Sequence, residues 1–327
     1  MKKTILVTAI GSVAGEYVIT TLQELGHRVI GCDIYDPRML AYADLPDKFF
    51  QVKRVSDEKG YIEQVESICM SEGVDYIFPL TDVEVDAYDR NRDRFERGGI
   101  TICISSHETI SVLRNKYTLA RTVSDSCPFT RAIPTCLLST FLKEPQEWEG
   151  NANGFIAKPA DGRSSQGLER FMDREEVEFF AQKRGTGNYI IQPMLPGERV
   201  VVDVVRDSKR DMVVAVAREE LLYTTNGCGT SVCVFSDTRL EESCKELAEK
   251  LGIIGCVNFE FLVDDKRNYH LIECNPRFSA GVEFSALSGC DFVGRHLNCF
   301  TGEPIDDFKL DHDHYIARKW TEVITFG

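Results

Sequence analysis

Apolar residues gather in short runs over the first third of the chain and in longer, alternating runs toward its end. The runs at 4–9, 28–32, 74–79 and 100–104 have the length and β-rich composition of strands. A helical stretch over 16–25 lies between the first two and is closed by Gly26-His27, and a second helix ends at 70–73. Gly11-Ser12-Val13-Ala14-Gly15 links the first strand to its helix, and Asp33 ends the second strand. This βαβ opening points a helix N-terminus at its loop, a place suited to an anion. Residues 1–106 are predicted to form a doubly wound α/β unit.

The texture then changes. A helix is predicted over 109–124, carrying Lys116, and a proline-containing link over 127–134 follows. Strands are predicted at 155–159 and 169–171, with a polar loop over 160–167 between them and a helix at 174–183 after them. Strands then crowd together at 189–193, 200–206, 212–217 and 230–235, and a charged helix over 239–251 follows. Strand groups interrupted by single helices predict two α+β lobes, 107–186 and 187–327.

The last alternating runs form a hairpin. Val257 to Val263 and Tyr269 to Arg277 flank the polar turn Asp264-Asp265-Lys266-Arg267-Asn268. Side chains alternate along a strand, so Asn258 and Glu260 share a face, as do Glu273 and Asn275. If Val263 faces His270, then Glu260 lies opposite Glu273 and Asn258 opposite Asn275. Opposed carboxylates repel, so this register calls for a cation between them. Hard oxygen donors in small number suit magnesium, with manganese as the substitute ion, and Arg277 stands where it would grip a metal-bound phosphate. A register shifted by one residue would instead put both acids in water.

Composition narrows the partners. The chain has 327 residues and a formal charge of −14, which disfavours nucleic acid and anionic membranes. Its twelve cysteines include no CxxC pair, and several sit in apolar runs. They read as buried free thiols of a cytoplasmic protein. No stretch has the length of a membrane span. The start shows no signal-peptide cleavage pattern.

Two further segments carry candidate chemistry. Lys158-Pro159-Ala160-Asp161-Gly162-Arg163-Ser164-Ser165-Gln166-Gly167 sets a strand-borne lysine before a loop of small donors. Gly162 and Gly167 let backbone N–H groups approach phosphate oxygens, and Ser164 and Ser165 add hydroxyls. The lysine precedes the loop, so this is not a P-loop, and an ordinary surface turn is the alternative. Gln192-Pro193-Met194-Leu195 has the look of a strand running into a hinge whose backbone could meet a purine edge, with Glu198 as an acid for a ribose; an ordinary strand and turn is the alternative. A nicotinamide site on the first loop is also open, although that loop offers only Gly11 and Gly15 in place of GxGxxG. Asp82 and Glu84 read either as substrate contacts or as a solvated loop. Asp311 to His314 reads as an exposed polar tail, with metal binding as the alternative.

Taken in order, Asn115-Lys116-Tyr117, Ala157-Lys158-Pro159 with its loop, the Gln192 hinge, Arg218, Asn258, Glu260 and Glu273-Cys274-Asn275-Pro276-Arg277 resemble the ATP-grasp superfamily. The chain is similar to stand-alone proteins related to the carbamoyl-phosphate synthase large subunit and to amino-acid ligases. The resemblance implies a pre-ATP-grasp domain followed by a two-lobed ATP-grasp fold. It implies Lys116 and Lys158 on the phosphates of ATP, and adenine on the backbone from Gln192 to Leu195. Glu260, Glu273 and Asn275 would hold magnesium, with Asn258, Arg218 and Arg277 as the catalytic set. The implied activity is an ADP-forming ligase joining a small carboxylate to an amine through an acyl phosphate. Phosphorylation of a carboxylate or carbamate, or nucleotide binding without catalysis, are the alternatives. A homodimer is compatible with all three. The sequence departs from the family pattern at Gln192, at Pro193, at Asn115, and at Arg199, which stands where the hinge is usually followed by an acid.

Overall fold

The computed structural model describes residues 2–124, 130–163, 166–225 and 227–325. Its first sheet contains β1 (Thr4–Thr8), β2 (Arg28–Asp33), β3 (Lys48–Gln51), β4 (Tyr76–Phe78) and β5 (Thr101–Ile102), all parallel, in the order β3-β2-β1-β4-β5. Alternation decides which face each residue covers. Ile5 and Val7 pack with Val18, Ile19 and Leu22 of the helix Gly15–Glu24, whereas Leu6 packs with Ile62 and Val65 of the helix Glu58–Glu72. Covered on both faces, the sheet is doubly wound, as the apolar runs predict. The helix Glu58–Glu72 is capped by the Asp57 side chain and stopped by Gly73 in the left-handed conformation.

The helix expected over 109–124 is two helices, His107–Leu113 and Lys116–Ser124. Asn115 causes the break. Its Oδ1 accepts the N–H groups of Tyr117 and Thr118 at 3.1 and 3.0 Å, so it starts a new helix. Lys116 thereby opens that helix, and its N–H donates to Ala160 at 2.8 Å.

Two further sheets follow, antiparallel except where β6 runs parallel to β15 at one edge. After β6 (Thr130–Ala132), the strands β7 (Cys136–Leu137), β8 (Phe155–Pro159), β9 (Glu169–Phe171) and β10 (Tyr189–Pro193) form a four-stranded sheet, β7-β10-β8-β9. The remaining strands are β11 (Glu198–Asp207), β12 (Met212–Tyr223), β13 (Gly229–Phe235), β14 (Gly255–Val263), β15 (Tyr269–Asn275) and β16 (His314–Ala317). With β6 they make a seven-stranded sheet, β16-β13-β12-β11-β14-β15-β6. Val200, Val202 and Val204 pack against Leu240, Cys244 and Leu247 of the helix Thr238–Lys250. The opposite face of these strands is left for a cleft.

The first unit is welded to the seven-stranded sheet. Phe78 at the end of β4, Phe278 and His296 form an aromatic trio, with both phenylalanine rings 4.8 Å from the imidazole. His296 also accepts the Cys256 N–H at 2.8 Å. Burial holds its pKa down to about 3, so the ring is neutral in the folded protein.

Several expectations are corrected. Asp82 and Glu84 are not in a solvated loop but in the buried first turn of the helix Asp82–Arg90. His314 begins the edge strand β16 and is not tail; Asp311 Oδ1 lies 3.0 Å from His312 Nδ1 and 3.4 Å from His314 Nε2. The sequence pattern missed β3, β6, β7 and β16, all of four residues or fewer. The eleven described cysteines are free thiols, and all but Cys228 are buried; Cys127 lies outside the described residues. Among the described residues, no helix is long and apolar enough to cross a membrane.

Candidate active site

A cleft of about 510 Å³ lies between the four-stranded and the seven-stranded sheet. Its floor is a single face of the larger sheet. Arg199 and Val201 come from β11, Arg218 and Glu220 from β12, Asn258, Glu260 and Leu262 from β14, and Glu273 and Asn275 from β15. Lys158 on β8 and Gln192 on β10 line it from the smaller sheet, and Lys116 enters from its helix.

The hairpin register is the one that opposes the acids. Asn258 pairs with Asn275 and Glu260 with Glu273. The route to it differs from the expectation, because Val263 pairs with Tyr269 and not with His270. Ile272 is an extra residue in β15, a bulge that shifts the register between Glu260 and Phe261. Ile272 and Glu273 consequently both line the cleft.

Protein cations balance the opposed acids. Lys116 Nζ lies 3.0 Å from Glu273 Oε2 and donates to the Gly162 carbonyl at 2.6 Å. Arg199 Nη2 lies 2.6 Å from Glu260 Oε2. Asn275 Nδ2 donates to Glu260 Oε1 at 3.2 Å and to Asn258 Oδ1 at 3.3 Å. Burial and the neighbouring Glu273 push the Glu260 carboxyl upward against the pull of Arg199. Burial also acts to raise Glu273, but Lys116 and Lys158 outweigh it and hold that group below the usual range. Lys158 is held down to about 8, by burial first and by Lys116, against Glu273 and Glu260.

The arginines divide into two kinds. Arg277, just past β15, donates to Asp82 at 3.2 Å and to its neighbour's carbonyl, Phe278 O, at 3.0 Å. It keeps 20% side-chain exposure at the cleft. Arg218 is only 2% exposed and is held by Asp203 at 2.6 Å, Glu220 at 3.2 Å and the Ser279 hydroxyl at 3.0 Å. A Cβ on Gly281 would fall 2.7 Å from the Arg218 guanidinium, so that turn is moulded on the arginine.

The hinge is narrower than expected. Gln192 is buried and donates to Thr135 Oγ1 at 2.7 Å. The Met194 N–H is bonded to Gly154 O at 2.9 Å, and its carbonyl accepts Asn151 Nδ2 at 2.8 Å, so Met194 offers no backbone edge. Pro193 and Leu195 do line the cleft, and the Leu195 N–H has no partner among the described residues. Glu198 is a correction. It is exposed and does not line the cleft, because it precedes Arg199 by one residue and alternation turns it away. Gly162 lines the cleft, while Gly167 (φ +72°) packs against Pro159 and Tyr189 and serves the turn. Ser164 and Ser165 lie outside the described residues.

The sequence reading missed Arg199, Arg163 and Arg114 as site residues. Arg114 clasps Asp86 at 2.8 and 3.2 Å and lies 3.8 Å from Asp82. Buried Asp82 is held below the usual carboxylate range despite its burial, by Arg277 and then Arg114. The arginine at 199, in place of an acid after the hinge, was the available signal for the first of these.

Residues 186–323 match the family described as ATP-grasp in the biosynthetic pathway with Ter operon. Residues 5–103 match the PylC-like N-terminal domain family. The carbamoyl phosphate synthase large chain of Agathobacter rectalis is 25% identical over 182 residues, covering 51% of this chain; the matched stretch is 17% of that enzyme's length. The biotin carboxylase domain dimer of Hydrogenobacter thermophilus 2-oxoglutarate carboxylase, solved with MgADP, ADP and bicarbonate, superposes with a TM-score of 0.76 at 17% identity, over 93% of this chain and 71% of that one. The L-amino acid ligase of Bacillus licheniformis superposes with a TM-score of 0.68 at 14% identity, over 91% and 74%. The chain thus matches a PylC-like N-terminal model over 5–103 and an ATP-grasp model over 186–323, and its fold is shared with the two solved structures above.

Proposed function

We propose that this protein is an ADP-forming ligase that activates a small carboxylate as an acyl phosphate and transfers the acyl group to an amine. The observation that carries the reading is the opposition of Lys158 and Lys116 to one sheet face bearing Glu260, Glu273 and Asn275, with Arg277 just beyond its edge. Catalysis at a phosphoryl-transfer site is chiefly positioning and electrostatic stabilisation, which such an array of charges supplies.

The donor set fits magnesium. Two opposed carboxylates and an amide oxygen are hard ligands, and burial together with Glu273 makes a lone charge on Glu260 costly. Glu260, Glu273 and Asn275 would hold the ion, which when bound supplies neutralisation of phosphate charge. Lys116 is then free to leave Glu273, and it meets phosphate together with Lys158. Pro193 and Leu195 offer the adenine edge. Arg277 steadies the equatorial oxygens of the transferred group.

A carboxylate oxygen bonds to the γ-phosphorus, the bond to the β–γ bridging oxygen breaks, and ADP departs with that electron pair. An amine nitrogen then bonds to the acyl carbon, phosphate leaves with the carboxylate oxygen, and the nitrogen releases its proton. A closed cleft keeps water from the acyl phosphate. The relatives' bound MgADP and amino-acid ligase chemistry support this reading for the present chain. A screen for magnesium-dependent ADP release over pairs of carboxylates and amines tests it: release with a specific pair is expected, and none with any pair refutes it.

A further inference from the structure

A second cavity, of about 660 Å³, opens at the carboxyl ends of β1, β2 and β4. That is where the strand order β3-β2-β1-β4-β5 reverses direction, the place at which doubly wound sheets bind ligands. Its acids are already taken. Asp33 accepts the N–H groups of Gly11 and Tyr35 at 2.9 and 3.1 Å. Glu84 accepts the hydroxyls of Tyr61 and Thr81 at 2.9 and 2.7 Å, and Arg114 clasps both oxygens of Asp86.

Its donors are not. The Ser12 hydroxyl oxygen and Arg163 Nη1 are buried atoms with no hydrogen-bond partner among the described residues. Arg163 Nη2 reaches only within 3.9 Å of Asp86. Arg54 forms no ion pair among the described residues and lies over the Tyr35 ring at 5.6 Å. A cavity whose acceptors are filled while Ser12, Arg54 and Arg163 keep open donors selects an anion. Ile34, Val55 and Val83 supply an aliphatic wall.

The two cavities share a boundary. Arg163 lines both, and the first turn of the helix Asp82–Arg90 turns Asp82 to the cleft and Glu84 to this cavity. An anion gripped by Arg163 therefore sits beside the cleft that holds Lys116 and Lys158. We propose that this cavity binds the carboxylate substrate, an aliphatic acid, with Ser12, Arg54 and Arg163 as its donors; the amine enters elsewhere. The inference rests on the ligase reading for its consequence but not for its binding chemistry.

The test is calorimetric titration of the full chain, without nucleotide, using propionate, butyrate, succinate and glutarate, with butylamine and putrescine as controls. Saturable binding of at least one acid and of neither amine is expected. Arg54→Gln, at an exposed position that does not threaten folding, and Arg163→Gln should each weaken the acid by about tenfold or more. Lys158→Ala should keep acid binding while losing ATP. Binding of amines, acid binding indifferent to both arginine variants, or no acid binding overturns the proposal. Failure of the wild type to bind Mg·ATP would instead overturn the ligase reading, with the acid titration still deciding the cavity.

Discussion

Lys116 Nζ lies 3.0 Å from Glu273 Oε2, while Arg199 performs the same service for Glu260 at 2.6 Å. Two carboxylates that face each other across the β14–β15 ladder are thus each neutralised by a cation from another strand or helix. The cleft is electrically balanced before any ligand enters, and the balance is of a kind that a divalent ion can take over.

Removing one counter-charge should expose that exchange. Lys116→Met leaves Glu273 facing Glu260 with less compensation and should lower stability by about 1 kcal/mol, a modest figure because the pair is partly exposed. Magnesium should restore the loss. Urea unfolding of the variant with and without magnesium measures both effects; a variant indifferent to the ion contradicts the assignment.

Lys158 sets a pH dependence for nucleotide binding. Its ammonium is held down to about 8, and phosphate contact favours the charged form. Binding therefore takes up a proton above that pH, and ATP affinity should fall as pH rises through 8 toward 10. Calorimetry in buffers of different ionisation enthalpy reads the proton directly. Lys158→Arg should abolish the dependence.

Alternation along β11 separates two neighbours. Glu198→Ala should leave ATP affinity within about twofold, because the side chain faces solvent. Arg199→Ala should weaken it by about tenfold or more, because Glu260 then sits buried beside Glu273 without its partner. Fluorescent-nucleotide titration distinguishes them.

His296 gives the fold an acid-sensitive weld. Above pH 6.5 its ring is neutral whether folded or unfolded, so it adds no pH dependence. Between 6.5 and about 3 the unfolded chain binds one more proton than the folded chain, and stability falls as pH falls, by about 1.4 kcal/mol per unit from this residue. His296→Gln keeps an acceptor for the Cys256 N–H and should flatten that slope in acid unfolding curves.

The alternating runs made the hairpin faces legible, and β8, β9 and β10 have the bounds that pattern gives. What stayed hidden was not encoded in periodicity. The Ile272 bulge inserts a residue without any change of hydrophobicity, so a straight ladder was assumed from Val263 onward. The Asn115 break depends on a side chain choosing its own backbone over the helix. Asp82 and Arg277 are 195 positions apart, and only the fold brings them together. Nothing in the loop's composition singles out Arg163, whose place comes from two cavities meeting.

The central claim, acyl-phosphate chemistry in the Lys158–Glu273 cleft, is tested most directly by isotope transfer. A carboxylate labelled with heavy oxygen in both positions, chosen from the acids that support ADP release, is turned over with ATP and the matching amine. The account predicts inorganic phosphate carrying a single heavy oxygen, with ADP unlabelled and Glu273→Gln inactive. Unlabelled phosphate, or heavy oxygen appearing in AMP, would contradict it.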